Sequence, residues 1–277
     1  MPQPIAPAPR LSLADGATIP KLGFGLYKVP PADAARLSHD AIAIGYRHLD
    51  TAAFYGNEEG VGEAVRDAAV PREELFVTSK VWMDDNGFDS TLRAFDATMT
   101  RLGLASLDLY MIHWPMPSTD RYVDTWRALV RLQDEGRVRS IGVANFHAHH
   151  LERIIRETGV APVVNQVELH PWLPQAPLRA FDAARGIRTE AWSPLARGRV
   201  LGTPVLEDLA AKHGRTPAQI VLRWRVELGN VVIPKASSPE RLSENLDVFD
   251  FALDADDLAA IATLETGERT GRDPDFD

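Results

Sequence analysis

The sequence contains no cysteine. That removes disulfide frameworks, thiolate nucleophiles and cysteine-ligated zinc together, and it fits a reducing compartment. No uninterrupted apolar stretch is long enough to cross a bilayer. The opening MPQPIAPAPR lacks a basic start followed by an apolar run, so it does not read as a secretory signal. A cytoplasmic location is the expectation. A basic surplus is missing too: 30 Lys and Arg stand against 39 Asp and Glu, a formal net charge of −9. Nucleic-acid binders draw affinity from neutralising phosphates, so neither DNA nor RNA is an expected partner. The glycine loops that cradle nucleotides are absent as well. Gly23-Phe24-Gly25 meets Lys28, and Gly60-Val61-Gly62 meets Val65, where the dinucleotide fingerprint needs a third glycine; no G-x-x-x-x-G-K-[ST] occurs. A nucleotide, if bound, is held by other means.

What is present is ordinary for a globular enzyme: 45% hydrophobic and 25% charged residues in a chain of 277. That length suits one barrel-sized domain spanning 1–277, with 1–10 as a flexible N-terminal segment. LSLADGATIPKLGFG reads as a hairpin turning at Asp15-Gly16. Short apolar runs then alternate with amphipathic stretches. The strand candidates are Gly23–Gly25, Arg47–Asp50, Leu75–Lys80, Leu107–His113, Ser140–Ala144, Val163–Glu168, Ile187–Ser193 and Val231–Pro234, which make the eight a TIM barrel needs. Helices are predicted over Ala32–Ile44 behind Pro30-Pro31, over Asp89–Leu102 before Gly103, and over Thr216–Leu228 from a Thr-Pro start. Strand–helix alternation implies a parallel sheet. A doubly wound open sheet is the rival, but eight regular units without a dinucleotide fingerprint favour an α/β, (β/α)₈ barrel with an N-terminal β-hairpin.

Barrel chemistry collects at the carboxyl ends of the strands. Those ends present Asp50, Tyr55 in the following loop, Lys80 and His113. Taken singly, Asp50 also reads as a turn cap, Tyr55 as a rim aromatic, Lys80 as half of a surface ion pair and His113 as a core histidine. Together they form a coherent proton relay. A phenol with a reference pKa of about 10 is a poor acid near neutrality; a nearby ammonium lowers that value, and a carboxylate holds the ammonium. His113 is then free to hydrogen-bond a substrate oxygen. Such a set delivers a proton to a carbonyl becoming an alkoxide, and it needs a hydride donor that no side chain supplies.

GYRHLDTAAFYGNEEGVG (45–62), VTSKVW (77–82), LDLYMIHWP (107–115), SIGVANF (140–146), VVNQVELHP (163–171) and IPKASSPERLSENLDVFDF (233–251) resemble the aldo-keto reductases. The similarity covers nearly the whole chain and is greatest to bacterial 2,5-diketo-D-gluconate reductase-like members. The resemblance implies an NADPH-dependent oxidoreductase of the alcohol dehydrogenase type, monomeric, with Asp50, Tyr55, Lys80 and His113 as the catalytic tetrad and Tyr55 as general acid. It implies that Asn145 and Gln166 hold the nicotinamide carboxamide and that Trp192 stacks on the nicotinamide ring. Leu195, Arg197 and Gly198 would lie along the pyrophosphate. Lys235, Ser237, Ser238, Arg241, Glu244 and Asn245 would surround the adenosine and its 2′-phosphate. Two positions depart from the family's pattern: Ala144 and Ala236 stand where Ser is common, each removing a hydrogen bond of roughly 0.5–1.5 kcal/mol.

The residues of the last segment point the same way without the resemblance. Two cations flanking two serines on a strand–helix turn suit a phosphate monoester, which Arg can bind bidentately; alone the turn reads as solvated charge, and beside the strand-end tetrad it reads as a phosphate site. Tyr27, Phe54, Trp82 and Trp114 sit near the same strand ends and line a substrate pocket or pack the barrel rim. His147, His149 and His150 have no further ligands at useful spacing, so no metal site is expected. Two other readings stand beside the reductase: a Schiff-base lysine at Lys80, and a non-catalytic barrel that binds nucleotide as a sensor or subunit. The expected partner is a small carbonyl compound.

Overall fold

The computed structural model describes residues 5–276. A hairpin, β1 (Arg10–Ser12) with β2 (Thr18–Pro20), precedes eight parallel strands: β3 (Phe24–Gly25), β4 (His48–Asp50), β5 (Phe76–Val81), β6 (Leu107–Ile112), β7 (Val138–Ala144), β8 (Val164–Glu168), β9 (Arg188–Trp192) and β10 (Val231–Val232). Each lies within two residues of its predicted span. Their spatial order follows the chain order from β3 to β10. Between them run α1 (Pro31–Ile44), α2 (Glu58–Arg66), α3 (Phe88–Leu102), α4 (Tyr122–Asp134), α5 (Ala148–Thr158), α6 (Ala176–Ala184), α7 (Pro204–His213) and α8 (Pro217–Glu227); α9 (Pro239–Leu246) and α10 (Ala255–Ala262) follow the last strand.

The first and last strands meet. Val232 N–H donates to Lys21 O (2.9 Å), Gly23 N–H to Val232 O (2.8 Å) and Gly25 N–H to Pro234 O (3.1 Å). This seam closes the sheet, which decides for a barrel over an open doubly wound sheet. It requires glycine: a Cβ on Gly25 would stand 2.7 Å from the Ile233 carbonyl oxygen. Local chemistry sets the helices that frame the seam. Pro31 opens α1, where a missing amide donor costs little. Thr216 and Gln219 cap each other at the start of α8, with Thr216 N–H donating to Gln219 Oε1 (3.0 Å) and Gln219 N–H to Thr216 Oγ1 (3.3 Å).

The hairpin plugs the amino-terminal end of the barrel. Leu13, Ala17 and Ile19 pack with Phe76, Leu109, Met111 and Val164, and Ser140 Oγ donates to Asp15 Oδ2 at 2.6 Å. One mouth therefore remains, at the carboxyl ends of the strands. Of the segment 1–10, residues 1–4 lie outside the described residues; Ile5 N–H donates to Ile44 O at 2.7 Å and Ala8 is buried. Between strands and helices the core is continuous, with Trp126 fully buried and its Nε1 donating to Val160 O at 3.1 Å. Burying side chains of this size contributes roughly 1.5–3 kcal/mol each, so the wall beneath the mouth is a fixed platform.

Candidate active site

Asp50 ends β4 and Lys80 lies one residue before the end of β5, so adjacent parallel strands bring them side by side. Both are buried. Lys80 Nζ donates to Asp50 Oδ1 (2.7 Å), Asp50 Oδ2 (2.8 Å) and Thr51 O (3.0 Å). All three ammonium hydrogens are thus committed, which is what a buried cation requires. Tyr55 closes a 3₁₀ turn, Ala53–Tyr55, above this pair, and the ammonium lies 5.2 Å from its ring centroid. Sequence reasoning expected Lys80 to lower the phenol's pKa. The structure reverses the sign: burial pushes Tyr55 well above its usual range, and the Asp50 carboxylate pushes the same way. Tyr55 is held as a protonated phenol.

His113 follows β6 and faces Tyr55 edge-on, with ring centroids 5.6 Å apart. Burial, then the charges of Lys80 and Arg272, hold its pKa well below the usual histidine range. Its imidazole is neutral, and Nδ1 is buried without a partner among the described residues. The four strand-end residues therefore form one cluster.

Beneath them Gln166, expected at the nicotinamide, joins a layer whose Glu190 and His48 the sequence reading missed. Gln166 Nε2 donates both to Asp50 Oδ2 (2.8 Å) and to Glu190 Oε2 (2.8 Å). Burial, reinforced by the Asp50 charge, raises Glu190 to about 8. His48, whose Nδ1 lies 3.8 Å from Glu190 Oε1 and whose Nε2 lies 3.1 Å from Thr78 Oγ1, is lowered by burial to about 3. Both are neutral near pH 7. The signal was available in strand alternation, since His48 and Asp50, like Glu190 and Trp192, are two residues apart and share a face.

The residues expected to hold a nicotinamide ring come together at the mouth. Asn145, at φ 63°, donates from Nδ2 to His113 O (2.9 Å) and accepts at Oδ1 from Trp192 Nε1 (2.9 Å). Its hydrogen bonds tie the ring expected to stack on nicotinamide to the proposed proton-transfer cluster. Beyond Trp192, Ser193, Ala196, Arg197 and Gly198 take positive φ of 50°, 47°, 57° and 85°. Such non-glycine residues cost roughly 1–3 kcal/mol each and gather at ligand clamps. At the start of α9, Ser238 Oγ accepts from Arg241 N–H at 3.4 Å. Lys235 and Arg241 are exposed and form no ion pair among the described residues. Ser237 is exposed beside them and Asn245 is buried under the helix. Glu244 is already engaged, accepting from Thr216 Oγ1 at 2.6 Å. A phosphate monoester fits this turn: two unpaired cations, a serine hydroxyl and a helix start.

Aromatic rings wall the mouth. Phe54 stacks on Trp82 at 3.8 Å, and Tyr27 lies 5.2 Å from Tyr55; Tyr27 and Phe54 are about half exposed. The polar tail, which carries no motif, crosses the opening. Glu168 Oε1 accepts from Thr270 N–H (2.6 Å), Thr270 Oγ1 (2.5 Å) and His170 Nε2 (2.9 Å), and Gly271 N–H donates to Oε2 at 3.1 Å. Burial pushes Glu168 up, but these bonds outweigh it and leave its pKa below the usual carboxylate range. A Cβ on Gly271 would come within 2.6 Å of the Trp192 ring. Arg272 lies over Trp114, 4.3 Å from the ring centroid. A hollow of about 640 Å³ at the other end, bordered by Ser12, Arg179, Arg188 and Asn230, holds no comparable cluster.

No helix among the described residues is long and apolar enough to cross a membrane. The aldo/keto reductase family model matches residues 21–266. An aldo-keto reductase of Mycolicibacterium smegmatis is 52% identical over 96% of this chain and 97% of its own length. The methylglyoxal reductase DkgA of Salmonella typhimurium is 50% identical, with 96% of each chain covered. A Gox0644 mutant solved in complex with NADPH is 49% identical, superposes with a TM-score of 0.94 and is covered over 98% of both chains. With its barrel, its strand-end cluster and these relatives, the chain belongs to the aldo/keto reductase family.

Proposed function

We propose that the protein is an NADPH-dependent reductase that converts aldehydes, ketones or dicarbonyls, keto sugars among them, to alcohols. The observation that carries this reading is a protonated Tyr55 phenol facing a neutral His113 whose Nδ1 has no hydrogen-bond partner among the described residues, both at the mouth above the Lys80–Asp50 pair. A carbonyl oxygen placed between the two rings accepts a hydrogen bond from each. As the carbonyl carbon gains a hydride, Tyr55 transfers its proton to the oxygen, and the ammonium of Lys80 stabilises the phenolate left behind. Bound NADPH supplies the hydride.

The chain fits that cofactor. Asn145 and Trp192 would frame the nicotinamide with Gln166 beside Asp50, and the 195–198 turn, with its positive φ angles, would follow the pyrophosphate. Lys235, Ser237, Ser238 and Arg241 would hold the 2′-phosphate, with Asn245 and Glu244 toward the adenosine. Tyr27, Phe54, Trp82 and Trp114 give the substrate apolar walls. A relative bearing the name methylglyoxal reductase supports small dicarbonyls as substrates. We place the enzyme in the cytoplasm as a monomer acting in the CH–OH, NADP class. No observation favours a non-catalytic sensor, and Lys80, its hydrogens committed to Asp50 and Thr51, is not placed as a Schiff-base nucleophile.

The test is loss of NADPH absorbance across a panel of aldehydes, dicarbonyls and keto sugars. Turnover with at least one class is expected. Binding of NADPH without turnover of any of them would overturn the reading.

A further inference from the structure

The hollow of about 640 Å³ at the amino-terminal end of the barrel has no acid–base cluster, but its charged lining is all of one sign. It lies between the hairpin, α6, the start of β9 and the turn after α8, and its volume falls within the roughly 300–1,000 Å³ of small-molecule pockets. Arg179 and Arg188 line it, and no carboxylate does. In a chain with a net charge of −9, two cations sharing a hollow without an acid stand out. The acid of α6, Asp182, is fully buried and accepts from Thr189 Oγ1 at 2.9 Å.

Both guanidinium groups are held by backbone rather than by counter-charge. Arg179 Nε donates to Pro174 O at 2.9 Å, and Arg188 Nε to Ser12 O at 3.0 Å. Their terminal nitrogens have no protein acceptor among the described residues, so each keeps free the Nη1–Nη2 edge with which arginine binds an oxyanion. A third cation adds to the field. Arg225, whose carbonyl accepts Asn230 N–H at 3.2 Å, is completely buried, and none of its side-chain nitrogens has a hydrogen-bond partner among the described residues. Burial, then repulsion from Arg179, holds its pKa well below the usual arginine range, and burial lowers Arg179 too. Buried cations without counter-charge are costly. An anion beside Arg179 lowers that cost for both.

We propose that this hollow binds a small organic phosphate monoester, its phosphate held by Arg179 and Arg188 and its carbon portion set against Leu13, Ile187 and Leu228. A phosphate monoester carries about two negative charges on one group with three acceptor oxygens, so it can face two guanidinium edges at once. The apolar lining favours an ester over the free ion. The site stands at the opposite end of the barrel from the turn at Lys235 and Arg241, and it does not depend on the reductase reading.

Isothermal titration of the full chain with phenyl phosphate tests this. One equivalent is expected to bind, at least tenfold more tightly than inorganic phosphate. Arg179→Gln and Arg188→Gln should each weaken it tenfold or more, whereas Arg241→Ala should leave it unchanged. Saturating phenyl phosphate should raise the Tm of the parent and leave that of the Arg179→Gln/Arg188→Gln double variant where it was. Far-UV circular dichroism checks each variant's fold. Should Arg179→Gln fail to fold, Arg188→Gln decides, because Arg188 is only partly buried. Absence of stoichiometric binding, equal affinity in the double variant, or a loss confined to Arg241→Ala would overturn the proposal. So would equal affinity for inorganic phosphate, which would mark a site for the free ion alone.

Discussion

One amide nitrogen, Gln166 Nε2, holds Asp50 and Glu190 at the same distance of 2.8 Å. The two carboxyl groups differ in what else surrounds them. Asp50 receives two hydrogen bonds from the Lys80 ammonium, whereas Glu190 has a buried oxygen, Oε1, with no hydrogen-bond partner among the described residues. The protein thus keeps a charged and a neutral carboxyl on either side of a single donor, and the Lys80–Asp50 pair rests on that arrangement.

Glu190→Gln tests it through stability. Burial raises the folded pKa of Glu190 from 4.5 to about 8. Below 4.5 both folded and unfolded chains hold the proton, and the native carboxyl contributes fully. As pH rises through the window the unfolded chain releases the proton first, so the wild type loses stability by roughly 1.4 kcal/mol per pH unit. The glutamine variant has no such loss. Urea denaturation at pH 5 and pH 8.5 should show the variant gaining on the wild type at the higher pH. A constant difference between the two would place the ionised form in the fold.

Asp50→Asn should act in the opposite sense. It leaves the Lys80 ammonium buried without its counter-charge, a change that costs about 3–5 kcal/mol in buried pairs. A drop of that size in the unfolding free energy is expected. A variant as stable as the parent would mean that water reaches Lys80.

For chemistry the decisive substitution is Tyr55→Phe. General acid catalysis contributes typically 10²–10⁴-fold, and a loss in kcat of that order is expected while NADPH still quenches tryptophan fluorescence. Near-normal kcat would remove Tyr55 from the proton-transfer step.

In the proposed reading, cofactor choice rests on Arg241. A charge-assisted hydrogen bond contributes roughly 1.5–3 kcal/mol, so Arg241→Ala should weaken NADPH about ten- to a hundredfold. NADH has no phosphate there to lose. Dissociation constants for both cofactors check this, and equal losses would assign Arg241 to the adenine or the fold.

Glu168→Gln should loosen the tail. The charged acceptor shared by Thr270 and Gly271 becomes neutral, and charge-assisted bonds are about twice as strong as neutral ones. Faster hydrogen exchange at residues 270–273 and a raised KM for carbonyl substrates are expected, with kcat less affected. Unchanged exchange would show that other contacts hold the segment.

The strand ends were legible because Asp50, Lys80 and His113 interrupt or terminate apolar runs, where a polar residue stands out. The turn proposed to hold phosphate stood out for a similar reason, as cations and serines beside a helix start. Glu190 was not, because a lone carboxyl inside a strand gains meaning only when the register sets it beside Gln166. The shift of Tyr55 was read with the wrong sign because it is set first by burial of the phenol and then by the nearby Asp50 carboxylate, and the depth of a loop residue is not visible in the sequence. The tail from Gly267 to Asp275 has neither apolar periodicity nor a motif, and its partners, Glu168, Trp114 and the α5 histidines, are all distant in sequence.

The seam between β3 and β10 has a consequence for assembly. Its partners are separated by some two hundred residues, so their contact forms against a large loop-closure entropy and only after the last strand exists. Until then the growing sheet carries two open edges, the feature that lets strands of separate chains pair. Gly25 guards that join, because a side chain there would press against Ile233 and hold the two edges apart. A variant with a bulkier residue at this position is therefore expected to reveal itself first as material lost to inclusion bodies during synthesis, before any defect in the purified protein can be measured.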